Sequence, residues 1–229
     1  MRVAIIVFPG SNCDRDMMVA VETLTGRRPA LIWHKQTYLD PVDLAIIPGG
    51  FSFGDYLRCG ALAAHAPIMN ALHDHAARGG AILGVCNGFQ ILIETGMLPG
   101  FLVRNKNLKF ICKQTSIIIN DNTSCELIDS LDRTEKLQIP VAHNEGNFFA
   151  DPETLDNIES NGQVVFRYAS DNPNSPANLN GSLNNIAGIC SLNGKILGMM
   201  PHPERAMGAG HESAYGKKLL QSIFEAVVT

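Results

Sequence analysis

The chain has 229 residues, 45% hydrophobic and 17% charged, enough apolar side chains to bury a substantial core, and it reads as a single domain over 1–229. Its net charge of −4 offers no electrostatic reason to expect a nucleic acid or an anionic membrane as partner. No apolar run reaches membrane-spanning length and the start, Met1 to Pro9, lacks a signal-peptide pattern, so a cytoplasmic location is expected.

In chain order, residues 2–8 form an almost continuous apolar run, the pattern of a parallel strand buried on both faces. Pro9-Gly10-Ser11-Asn12 is turn chemistry, and 14–24 reads as a helix with Gly26 as its C-terminal cap. Short strands are expected at 30–33 and 43–47. Residues 57–77 favour a helix, bent or interrupted at Pro67, ahead of a strand that ends at Cys86. From residue 101 the rhythm changes to short β-like runs at 109–113, 116–120, 137–142, 164–169 and 186–191, which suggest an extension of the sheet. The Asn-, Pro- and Ser-rich stretch 171–185 reads as a long exposed loop, either a surface insertion or a docking or active-site element. An apolar run at 196–200 precedes His202, and an amphipathic helix is expected at 213–228.

Gly84-Val85-Cys86-Asn87-Gly88 carries the first chemical signal, because an apolar run leads in and a helical pattern leads out. A strand-to-helix elbow strains its central residue and needs small neighbours two positions away on each side, which Gly84 and Gly88 provide. The helix that follows aims its N–H groups at the sulfur and favours a reactive thiolate. A buried thiol between two turn glycines would show the same five residues, so context decides. Gly49-Gly50, after the run 44–47, offers backbone N–H groups for an oxyanion. His202-Pro203-Glu204 offers a base with a carboxylate two residues on, on the same side of an extended segment. The six cysteines, at 13, 59, 86, 112, 125 and 190, show no C-x-x-C spacing, so neither a zinc site nor a redox pair is suggested.

Taken together, Gly49-Gly50, Gly84 through Gln90 and His202-Pro203-Glu204 resemble the class I, triad-type glutamine amidotransferases. Phe8-Pro9-Gly10-Ser11-Asn12-Cys13-Asp14, Gly49 through Arg58, Pro140 through Gly146, and Asn180-Gly181-Ser182 through Ile189 are similar to the glutamine amidotransferase subunits of phosphoribosylformylglycinamidine synthase. The resemblance covers about residues 3 to 207. It departs at Asn178-Leu179-Asn180-Gly181-Ser182, where Asn-Pro-Asn-Gly-Ser is the family pattern.

The resemblance implies an α/β fold with an open mixed, mostly parallel sheet flanked by helices, flavodoxin-like, and a short β extension in the second half. It implies Cys86, His202 and Glu204 as the catalytic triad, Gly50 and Asn87 as oxyanion-hole donors, and Gln90 and His143 as holders of glutamine. It also implies that ammonia made from glutamine passes to a large synthetase subunit, with a small bridging subunit, in purine biosynthesis. No cofactor or metal is expected on this chain, which lacks a G-x-x-x-x-G-K-[ST] phosphate loop; ATP and magnesium belong to the partner. Arg58, His143, Glu145 and 171–185 are candidate interface elements. Two other readings remain open: a cysteine hydrolase of the DJ-1 type, and a non-catalytic regulatory module on the same fold.

Overall fold

The computed structural model describes residues 1–170 and 177–228. Within them β1 (Val3–Val7), β2 (Ala30–Trp33), β3 (Leu44–Ile47), β4 (Ala81–Val85), β5 (Phe101–Val103), β6 (Ile111–Ile119), β7 (Lys136–His143), β8 (Asn147–Phe149), β9 (Val164–Ala169), β10 (Ile186–Cys190) and β11 (Ile196–Met199) alternate with five α-helices. The helices are α1 (Asp14–Thr25), α2 (Ile68–Ala77), α3 (Asn87–Glu94), α4 (Pro152–Ser160) and α5 (Tyr215–Ala226). Nine described strands join one open sheet in the order β2-β1-β3-β4-β11-β10-β9-β6-β7. The strands from β2 through β11 run parallel, and β10, β9, β6 and β7 extend the sheet antiparallel.

The central strands are apolar throughout because both faces are covered. Ile5, Ile46, Leu83 and Leu197 are fully buried, and each contributes roughly 1.5–3 kcal/mol from apolar burial. At the edge, β2 leaves Leu31 and Trp33 exposed. Gly26 ends α1 in the left-handed conformation (φ 66°), its N–H donating to the Glu22 carbonyl, as the sequence indicates.

Four local expectations change. The helix expected over 57–77 is confined to Ile68–Ala77: Pro67 begins it, since a fixed φ and a missing N–H suit a helix start, and a short 3-10 turn at Ala63–His65 precedes it. The two runs 109–113 and 116–120 are one long strand, β6, zipped to β7 from Ile111↔His143 to Ile118↔Lys136. Helix α4 is an addition to the expected elements, although Asp151 is an N-cap that accepts from the Thr154 N–H at 3.0 Å and Pro152 opens its first turn. The small β5–β8 ribbon is another. No helix among the described residues is long and apolar enough to cross a membrane.

Of the stretch 171–185, residues 171–176 lie outside the described residues. The remainder is not an exposed loop. Asn180 and Ser182 are buried, with Asn180 Nδ2 donating to the Gly146 carbonyl at 2.6 Å and Ser182 Oγ accepting from Phe148 N–H at 3.0 Å. Their polar side chains satisfy the backbone of the turn after β7, which is why an Asn-Gly-Ser sequence sits in an interior.

Candidate active site

Because β3, β4 and β11 are parallel neighbours, their carboxyl ends open at the same edge of the sheet. In open α/β sheets that edge is where ligands bind. Gly50 follows β3, Cys86 follows β4 and His202 follows β11, so the sheet order brings together three segments far apart in the chain.

Cys86 is the corner between β4 and α3 and has φ 51° and ψ −103°, a strained conformation for a residue with a side chain. The two elbow glycines are needed for different reasons. A Cβ on Gly84 would lie 2.8 Å from the Gly88 backbone, whereas one on Gly88 would lie 1.9 Å from the Ile47 carbonyl oxygen of β3. The corner is pinned on the other side by Cys86 N–H donating to the Met199 carbonyl at 2.7 Å. Its sulfur lies 3.6 Å from the Ala142 carbonyl, to which it donates, and the residue is 5% exposed.

His202 and Glu204 are both buried, and His202 Nδ1 donates to Glu204 Oε1 at 2.6 Å. Only His202 is extended; Pro203–Arg205 form a 3-10 turn that brings the carboxylate back to the ring, in place of the extended i, i+2 geometry expected. His202 N–H also donates to Pro140 O at 2.8 Å, tying the turn to β7. Burial opposes a charge on this ring, but the Glu204 carboxylate and the Cys86 and Cys13 sulfurs outweigh it and hold the His202 pKa well above the usual imidazole value. His202 Nε2 is buried without a hydrogen-bond partner among the described residues, and so is Glu204 Oε2. With Nδ1 committed to the carboxylate, Nε2 is the nitrogen left for proton transfer.

Gly50 has φ 142°, and a Cβ there would lie 2.7 Å from the Asn12 nitrogen, so only glycine fits against the loop after β1. That loop holds the segment after β3 through Cys13 N–H to Gly49 O at 3.3 Å and Phe51 N–H to Gly10 O at 3.2 Å. Asn87 opens α3, where the first N–H groups have no acceptor within the helix. Its side chain ties neighbouring segments together, with Oδ1 accepting from Ser52 N–H at 3.1 Å and Nδ2 donating to Gln90 Oε1 at 2.9 Å.

Gln90 is buried in this network, its Nε2 donating to the Glu145 carbonyl at 2.6 Å, so it braces the 143–146 turn against α3. His143 is 3% exposed and its side chain cannot meet a partner protein. Asn105 Nδ2 donates to the Lys109 and His143 carbonyls, which leaves Asn105 Oδ1 as the acceptor for both Gly146 N–H and His143 Nδ1–H. Burial, and then the nearby charge of His202, lower the His143 pKa to about 4. Arg58 is exposed and doubly bonded to Glu94, while Glu145 accepts from Cys59 N–H at 3.4 Å and faces Arg104 at 3.8 Å.

Residues the sequence did not single out for chemistry are Asn105, Cys13 and Arg205. Cys13 lies within the Phe8 to Asp14 stretch and Arg205 directly follows Glu204; position in the chain is the available signal. Cys13, His202 and Glu204 offer donor atoms within 4.8 Å of one another, yet Arg205 Nη2 lies 3.0 Å from the Cys13 sulfur and sets a fixed positive charge against any cation there.

A family model for the CobB/CobQ-like glutamine amidotransferase domain matches residues 1–228. The chain is 50% identical over 226 residues to a phosphoribosylformylglycinamidine synthase subunit PurQ from Chlorobaculum parvum, covering 98% of this chain and 89% of that one. It is 49% identical to the subunit so named from Trichormus variabilis, over 100% of this chain and 99% of the other. Among solved structures, PurLQS from Thermotoga maritima contains a chain that superposes with a TM-score of 0.85 at 41% identity, covering 98% of this chain and 97% of its own.

Proposed function

This chain belongs to the CobB/CobQ-like glutamine amidotransferase family, and within it to the PurQ subunits of phosphoribosylformylglycinamidine synthase, and on that premise we propose that Cys86, His202 and Glu204 are its catalytic triad. The observation that carries the assignment is the buried 2.6 Å pair of His202 and Glu204, with Nε2 of the imidazole unspent, at the same sheet edge as the strained Cys86 corner.

The chain is a glutaminase subunit whose whole length, 1–229, works as one domain. The Cys86 thiol gives its proton to His202 Nε2, and its sulfur attacks the side-chain amide carbon of glutamine. The N–H groups of Gly50 and Asn87 receive the oxyanion, each such donor being worth about 3 kcal/mol in the transition state. His202 Nε2 gives its proton to the departing nitrogen, and ammonia leaves a γ-glutamyl thioester on Cys86. The imidazole, now neutral, takes a proton from water, which attacks the thioester and releases glutamate. Glu204 keeps the ring oriented and stabilises its charged form throughout. Gln90 and His143 support the walls of the glutamine site, Gln90 by bracing Asn87 to the 143–146 turn and His143 by packing its ring against Gly146 of that turn.

Ammonia released into bulk water at neutral pH would be protonated and lose its lone pair. It therefore passes to a large synthetase subunit, joined by a small bridging subunit, that converts formylglycinamide ribonucleotide to the amidine. ATP and magnesium act on that partner. A cytoplasmic setting suits the six free cysteines of the chain, since a reducing medium keeps Cys86 a thiol. A DJ-1-type hydrolase and a non-catalytic module are not favoured, since the relatives align along the full chain and the His202–Glu204 pair is intact.

The test is amidation by the complex assembled with its synthetase partner. Cys86→Ala and Cys86→Ser are expected to abolish glutamine-dependent amidation and to leave ammonia-dependent amidation intact. Equal loss of both would sink the two-site reading.

A further inference from the structure

The buried sulfur of Cys13 is neither nucleophile nor base in the chemistry above, although it touches His202 and helps to hold its charged form. Cys13 is 2% exposed at the entrance to α1. A Cβ on Gly49 would lie 3.1 Å from Cys13 Sγ, 2.7 Å from His202 Cε1 and 3.3 Å from His202 Nδ1, so sulfur and imidazole edge meet over the bare Cα of that glycine. Arg205 Nη2 donates to Cys13 Sγ at 3.0 Å, and Arg205 Nε lies 3.4 Å from Asp16 Oδ2. The guanidinium thus sits between two acceptors on the start of α1, one residue along the chain from Glu204.

Glu204 has one oxygen on His202 and one, Oε2, buried with no hydrogen-bond partner among the described residues. A guanidinium is the natural ligand for a free carboxylate oxygen, because it can chelate both oxygens in a bidentate pair. Burial lowers the Arg205 pKa, but Cys13 first, then Glu204 and Asp16, together hold it above the ordinary value, and it is to the Cys13 sulfur that its Nη2 donates. A guanidinium chelating Glu204 would draw off the negative charge that orients and stabilises the His202 imidazolium.

We infer that Cys13 is a positioning residue of the glutaminase reaction: its sulfur holds the Arg205 guanidinium away from Glu204 and so reserves that carboxylate for His202. The inference rests on the proposed roles of His202 and Glu204. It gives the Cys13 thiol a reason to be buried beside a histidine it does not serve as acid, base or nucleophile.

The experiment is a double-mutant cycle on the chain assembled with its synthetase partner, reading kcat and KM for glutamine, with ammonia-dependent amidation as the control. Cys13→Ala is expected to lower kcat roughly 10- to 100-fold with KM for glutamine nearly unchanged, since an orienting carboxylate acts on the transition state. Cys13→Ser, which keeps an acceptor, should recover part of the loss. In an Arg205→Met background, where no guanidinium competes, Cys13→Ala should cost less than about threefold. Equal cost in both backgrounds, or full kcat in Cys13→Ala, would overturn the inference. A crystal structure of Cys13→Ala adds a readout free of turnover: Arg205 on Glu204 Oε2 supports it, and Arg205 still directed at α1 contradicts it. Failure of the wild-type complex to hydrolyse glutamine would instead count against the proposed function itself.

Discussion

His202 Nδ1 and Glu204 Oε1 are 2.6 Å apart in a place where neither residue is more than 2% exposed. A charge-assisted hydrogen bond in so dry a site is strong, and it leaves the carboxylate nothing to do except hold the ring. Glu204→Gln preserves the shape and removes the charge. Glutamine-dependent kcat is expected to fall roughly 10²- to 10⁴-fold, with ammonia-dependent amidation retained. Steady-state rates with the two nitrogen donors check this; a variant within threefold of wild type would contradict the orienting role.

Gly88 tests the elbow by sterics alone. Since an added Cβ would lie 1.9 Å from the Ile47 carbonyl oxygen, Gly88→Ala must push α3 away from β3. Urea unfolding is expected to show a loss of roughly 3 kcal/mol, typical of an overpacked core, together with loss of glutamine turnover. Unchanged stability would mean that the elbow can yield without cost.

Asn87 links its own helix to the segment carrying Gly50. Without its side chain the buried Ser52 N–H loses its acceptor, and the 50–53 segment loses its tie to α3. Asn87→Ala is expected to destabilise the chain by about 1–3 kcal/mol. Because the Asn87 N–H remains but its partner donor shifts, kcat should drop while KM for glutamine changes little. Parallel urea and kinetic measurements separate the two effects.

His143 supplies a pH signature. Its folded pKa of about 4 lies below the ordinary value of 6.5, through burial first and the charge of His202 second. As pH falls from 6.5 towards 4, the unfolded chain takes up a proton that the folded chain refuses, so stability is lost across that window and the loss levels off below it. A depression of this size corresponds to on the order of 3 kcal/mol at most. The unfolding free energy of His143→Gln should therefore fall less steeply between pH 6.5 and 4 than that of the wild type. Superimposable pH profiles would count against a buried neutral His143.

Legibility in the sequence follows the range of the physics involved. The strand at Val3–Val7, the cap at Gly26 and the elbow around Cys86 are readable because backbone sterics and apolar runs act over a few residues. Helix α2 starts later than its composition suggests, because helix propensity before Pro67 gives way to the strained segment that follows Gly50, where Phe53, Asp55 and Leu57 all have positive φ. Helix α4 is short and mostly polar, so its apolar stripe is faint although Asp151-Pro152 announces it. Asn180 and Ser182 read as exposed because their composition is polar, whereas their place inside follows from backbone groups of the 146–148 turn that need partners.

By itself the sequence determined the strained corner at Cys86, its glycine partners and the pairing of His202 with a carboxylate two residues on, since each is a local arrangement of covalently near neighbours. Tertiary structure alone decided that the corner and the pair share a site. That depends on β4 lying between β3 and β11, a matter of long-range strand order that no local periodicity encodes. It decided as well that Cys13 and Arg205 stand behind His202, that Asn105 sets the tautomer of His143, and that Gln90 is spent on bracing, because those contacts form only once burial forces distant polar groups to find one another.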